Sequence, residues 1–82
     1  MYEYNISKFA SDRAFKNICD IIEKTIKNIK TEKPIVDVDG SVIKIYSSGN
    51  LSIKVYNDYE VDAVYIDSDI DLSSILQDMY IV

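Results

Sequence analysis

Histidine and tryptophan are missing from this chain, and cysteine and proline each occur once. Losing histidine removes the commonest general base and the commonest metal ligand together, so neither an enzyme nor a cofactor or metal centre is expected. The lone Cys19 has no partner for an internal disulfide. Two glycines and one proline leave few natural breaks, so most of the chain should be regular structure. No apolar run approaches the roughly 18 residues of a membrane span. The opening Met1-Tyr2-Glu3-Tyr4 has neither the basic start nor the apolar stretch of a secretory signal. The compartment these features imply is a reducing cytoplasm, with no membrane partner.

Bases are missing from the last third. Nine bases face seven acids up to Lys54, a balance of +2, whereas Val55 onward holds seven acids and no base, giving −5 overall. Carboxylates gathered without cations repel one another, and a basic partner relieves that repulsion. With 82 residues, 48% apolar and 28% charged, the chain suits one globular domain spanning 1–82.

Phe15, Ile18, Cys19, Ile22, Ile26 and Ile29 recur at the spacing of one helix face and predict a long helix from about Asp12 to Lys30. Ser11 is placed to cap it, and Lys27 and Lys30 to meet its C-terminal dipole. Asp12–Lys16, Asp20–Lys24 and Glu23–Lys27 are spaced as i, i+4 pairs on the polar face. From Ile35 the period becomes two. Turns at Asp39-Gly40, around Gly49 and around Asp58 separate four strands. An odd-length loop at Gly49 sets Ile45 opposite Ile53, and a turn centred on Asp58 sets Lys54 opposite Asp62 and Val55 opposite Val61. Leu72, Ile75, Leu76 and Met79 then fall at helical spacing, with Asp69 or Asp71 as cap. The expected fold is α+β: an antiparallel meander of three to four strands, the long helix on one face and a short C-terminal helix. Its second face would show Val42, Tyr46, Tyr56, Val64 and Ile66, covered by the terminal helix or by another chain.

Asp67-x-Asp69-x-Asp71 begins like a calcium loop, but position six is Leu72 and position twelve is Asp78, where that loop needs glycine and glutamate. A strand end followed by a capped helix accounts for it as well. Read as strand, the same carboxylates stand about 6.6 Å apart on one side, a spacing comparable to successive phosphates of a nucleic acid. Seven tyrosines are many for this length, and Tyr59, between Asp58 and Glu60, suits an interface anchor. Tyr65 is expected in the core, Tyr46 and Tyr56 as a cross-strand pair, and Cys19 as an inert core residue. The partner-binding candidates are Tyr56, Asp58, Tyr59, Glu60, Asp62, Asp67, Asp69 and Asp71.

In element order, size, acidity and tyrosine content the whole chain resembles small acidic phage-encoded inhibitors of the anti-CRISPR and DNA-mimic kind. The resemblance is one of architecture and charge. It implies a stoichiometric, non-catalytic inhibitor that occupies a basic nucleic-acid-binding site on a protein partner, without touching nucleic acid itself. The alternatives are a homodimer or other oligomerisation module built on the second sheet face, and an antitoxin or immunity protein.

Overall fold

The computed structural model describes residues 1–80. In chain order they form β1 (Tyr2–Ser7), α1 (Asp12–Thr25), β2 (Lys30–Thr31), β3 (Ile35–Val36), β4 (Val42–Ser48), β5 (Leu51–Asp58), β6 (Ala63–Ser68) and α2 (Ser73–Leu76), then a 3-10 turn, Gln77–Met79. All strands join one six-stranded antiparallel sheet in the order β1-β6-β5-β4-β2, with β3 also on β4. The α+β class is as expected, but the strands number six. The N-terminal strand was not anticipated, although Tyr2, Tyr4 and Ile6 alternate with Glu3, Asn5 and Ser7. It pairs Tyr4 with Ile66 and closes the edge of β6.

Ser11 caps α1 as expected, its hydroxyl accepting from the Ala14 amide at 3.1 Å. Ile18, Cys19 and Ile22 are buried beneath the helix. The helix is shorter than its apolar period suggests. Ile26 is already extended and Asn28 takes a left-handed φ of 63°. Lys30 then pairs with Ser47, so Lys27 and Lys30 lie beyond the helix and Lys24 alone sits in its last turn. Ile26 and Ile29 still pack against the core, which is why their spacing mimics a longer helix. Among the described residues the one ion pair is Lys44 to Glu23 at 2.8 Å, not the expected i, i+4 pairs.

Strand register departs from expectation at every turn. Gly49 and Asn50 form a two-residue connection, so Ser48 faces Leu51, Tyr46 faces Ile53, and Ile45 faces Lys54. This turns Val42, Lys44 and Tyr46 toward α1 and leaves Ile43 and Ile45 on the opposite face. Tyr46 explains the choice. Its ring is wholly buried, and its hydroxyl donates to Glu23 at 2.5 Å and also lies 3.5 Å from the Cys19 carbonyl. A buried aromatic contributes more apolar area than the isoleucines it displaces. The β5–β6 turn occupies Tyr59–Asp62 rather than centring on Asp58, so Lys54 faces Asp67 and Tyr56 faces Tyr65. Val64 and Ile66 therefore fill the core, and Tyr65 does not. A two-residue loop at Asp39-Gly40 would pair Val36 with Ile43, but Ile35 faces Ile43 and Val36 faces Val42.

The core is a single layer between sheet and helices: Tyr4, Tyr46, Ile53, Val55 and Ile66 against Ile18, Cys19, Ile22, Leu72 and Leu76. The Tyr4 hydroxyl accepts from the Leu72 amide at 2.8 Å and donates to Asp71 at 3.1 Å, tying β1 to the start of α2. Asp71 in turn accepts from the Ser73 amide and hydroxyl, but neither Asp69 nor Asp71 is the expected cap of α2: Leu72 holds that position and makes no side-chain capping bond. Thus α2 lies beside α1, and the other sheet face stays open.

Candidate functional site

Antiparallel pairing places facing residues on the same side of a sheet. On the open face this produces a row across four strands: Ile35, Ile43, Tyr56 and Tyr65. The two tyrosine rings stack at 4.5 Å with 12° between planes. One step toward the β5–β6 turn, the Asp37 amide bonds to the Ser41 carbonyl and Asp58 faces Ala63. A row with carboxylates therefore borders the apolar row. Between them lies a groove of about 410 Å³, floored by Ile35, Ile43, Tyr56 and Tyr65 and rimmed by Asp37, Asp39, Asp58 and Glu60.

Three loops meet at this end. The Ala10 amide donates to Asp62 at 2.8 Å, and the Tyr59 amide to the Ser41 hydroxyl at 2.8 Å. The Tyr59 hydroxyl reaches Asp12 at 2.8 Å, and a Cβ on Gly40 would lie 3.7 Å from the Tyr59 ring. Beneath them Asn57, 1% exposed, accepts from the Ser11 amide at 3.0 Å and donates to Asp12 at 2.9 Å. Asp58 braces its own turn, accepting from the Glu60 and Val61 amides, and receives the Tyr65 hydroxyl at 3.1 Å. Burial, then the Asp58 carboxylate, push the Tyr65 hydroxyl up to about 12. The Ser41 amide and hydroxyl hold the Asp39 carboxyl below its usual range. Asp12 beside Tyr59 raises that phenol.

The same end gathers exposed apolar groups. Of the ten large hydrophobic residues exposed among those described, Phe9, Ile35, Val36, Val38, Tyr59 and Val61 cluster on these loops and the adjoining β3. This end therefore combines uncovered apolar groups with a charged rim.

No family model, curated protein or solved structure matches this chain.

Tyr56, Asp58 and Glu60 line the groove, and Tyr59 stands at the loop tip beside it, 43% exposed. Asp62 is at the same end but turned toward Ala10. Asp67, Asp69 and Asp71 are elsewhere, toward the far end of β6: Asp67 is four residue steps, roughly 13 Å, from Ala63, which faces Asp58, and Asp69 and Asp71 lie beyond it. For Asp69 and Asp71 that exceeds the screening length of about 8–10 Å at physiological salt, whereas Asp67 is two residues from Tyr65 on the open face, and burial and then Asp67 raise the Tyr56 phenol. The expected ladder does not form, because β6 ends at Ser68. Asp67 stands on the open face opposite Lys54, Asp69 accepts from the Ser52 amide, and Asp71 accepts from the Ser73 amide just before α2. Tyr46 and Tyr56 do not pair, since they point to opposite faces.

Asp37, Asp39, Phe9 and Val61 were not singled out from sequence. One signal was available for the two aspartates. In an antiparallel meander alternate turns share an end, so the Asp-Gly turn and the Asp58–Asp62 segment had to meet. Among the described residues no rim carboxylate is within ion-pair distance of a cation.

Proposed function

We propose that this protein is a non-catalytic, cytoplasmic protein-binding inhibitor whose acidic loop end docks on a basic surface of its partner. In keeping with the resemblance to anti-CRISPR and DNA-mimic inhibitors, the surface it blocks is one that otherwise holds nucleic acid. One observation carries the reading: carboxylates from two neighbouring segments and exposed apolar side chains share one end of the sheet, and among the described residues no cation lies within ion-pair distance of the rim carboxylates. Tyr59 serves as an anchor that its bond to Asp12 holds in place. Asp69 and Asp71 form a second acidic group beyond the end of β6, and Asp67 stands between the two on the open face.

The test is capture of the partner from the cognate cell, followed by elution in a salt gradient. The expected partner is a basic nucleic-acid-binding protein, released by moderate salt and displaced by its nucleic acid. The variant Asp37→Lys/Glu60→Lys alters the rim while sparing Asp58 and Asp62, which brace the turns; affinity should fall at least tenfold. A folded double variant that binds as tightly as the parent removes the docking reading.

The uncovered apolar row on the open face favours a second reading, a homodimer through that face. The net charge of −5 and the one-signed rim oppose it. Sedimentation at micromolar concentration separates the two: a dimer that Ile43→Arg dissociates and salt does not would establish the oligomer.

A further inference from the structure

We infer that the groove on the open sheet face is a receptor for a single arginine side chain of the protein partner. This rests on the docking reading and names the chemistry that the partner must present. The floor is the apolar row, with Ile35 and Ile43 beside the stacked Tyr56–Tyr65 pair. Carboxylates flank it from two different loops, Asp37 and Asp39 on one and Asp58 and Glu60 on the other. A volume of about 410 Å³ lies in the range of sites that enclose a small ligand, roughly 300–1,000 Å³.

Charge complementarity selects the occupant. A second copy of this chain would bring a net charge of −5 against a rim that is already wholly acidic. A fully apolar ligand would desolvate carboxylates without offering them a donor. A long cationic side chain satisfies both layers, because its methylene stem covers the isoleucines while its charge reaches the rim. Arginine suits the site better than lysine. Its planar guanidinium stacks on an aromatic face and donates through several N–H groups at fixed angles, matching carboxylates that approach from two sides. Asp58 is braced for this role: one oxygen holds the turn amides, and the other takes the Tyr65 hydroxyl. Its carboxylate is thus set in place before any ligand arrives.

The experiment is an amide-resolved NMR titration of the full 82-residue chain with three blocked tripeptides, Gly-Arg-Gly, Gly-Lys-Gly and Gly-citrulline-Gly. The arginine peptide should give saturable, millimolar shifts confined to the Ile35–Ile43 segment, Tyr56, Asp58 and Tyr65. Lysine should bind several-fold more weakly, and neutral citrulline should produce no saturable shift. Asp58→Asn keeps an oxygen for the turn amides and should weaken arginine binding at least fivefold. If it perturbs the fold, Asp37→Asn serves the same purpose from an exposed loop. Equal shifts with citrulline, or shifts spread equally over Asp69 and Asp71 at the far end, overturn the inference. If the peptides fail while the captured partner still responds to Asp37→Lys/Glu60→Lys, the pocket falls and the docking surface stands. If arginine fills the groove but the partner ignores those reversals, the docking reading falls instead.

Discussion

Replacing Asn57 by alanine tests how the docking end is held together. The side chain is 1% exposed and makes two bonds to the start of α1: it accepts from the Ser11 amide at 3.0 Å and donates to Asp12 at 2.9 Å. Alanine leaves the part-buried Ser11 N–H without its acceptor, at a cost of about 1–3 kcal/mol, and removes a second bond worth about 1 kcal/mol. Because Asp12 is exposed, water replaces part of that second bond. The expected loss is therefore about 2–4 kcal/mol, a large share of the stability of roughly 5–15 kcal/mol typical of a domain. At about 4–8 °C per kcal/mol for a chain of this size, the melting temperature should drop by about 8–32 °C. Urea denaturation measures the loss, and hydrogen exchange locates it, with the Ser11 amide losing protection before the centre of β5. Asn57→Asp divides the two bonds, since it keeps an acceptor for Ser11 but sets a carboxylate against Asp12. It should fall between parent and alanine variant near neutral pH and recover in acid. A loss below about 0.5 kcal/mol for Asn57→Ala, or unchanged protection at Ser11, would refute the idea that this buried amide fastens the helix to the sheet.

Three further outcomes follow from the same geometry. Tyr46→Phe removes a hydroxyl bonded to a carboxylate that is 38% exposed, so a loss of about 1–2 kcal/mol is expected near pH 7. Lys44 and then Tyr46 hold the Glu23 carboxyl below its ordinary value, so its stabilisation is present above the unfolded-state pKa and disappears as pH falls through the lower folded one. The difference between Tyr46→Phe and parent should accordingly shrink in acid; an unchanged difference at pH 3 contradicts the assignment. Ile53→Ala and Ile45→Ala decide the strand register, because Ile53 is wholly buried and should cost about 2–5 kcal/mol, whereas half-buried Ile45 should cost about 1 kcal/mol. Equal losses would favour the pairing in which the two face each other. Finally, Asp69→Lys changes the far acidic group, and partner affinity should move less than twofold while Glu60→Lys weakens it strongly.

Helix, turns and acidic bias were legible along the chain for separate reasons. Ser11 and the apolar period identified α1, since a helix is specified by contacts within a few residues. Its end was not legible, because Ile26 and Ile29 reach the core from an extended segment and so preserve the period without the helix. Period-two alternation located β4, β5 and β6 but could not say which alternating set faces inward. Both faces carry apolar residues, so shifting the register by one merely exchanges Ile43 and Ile45 for Val42, Lys44 and Tyr46. For the site, Tyr56, Asp58, Tyr59 and Glu60 were found from charge and residue type. Asp37 and Asp39 were missed because they lie in the half of the sequence where bases balance acids.

The amino-acid order by itself determined the α+β composition, the capped first helix, the alternating strands and a C-terminal third without a base. Each of those depends on neighbours close in the chain or on a simple count. Tertiary structure alone decided which strand face is open and which carboxylates share a surface. Those outcomes depend on where Tyr46 could bury its ring, on which strand edge β1 could close, and on turns distant in sequence that antiparallel pairing brings to one end.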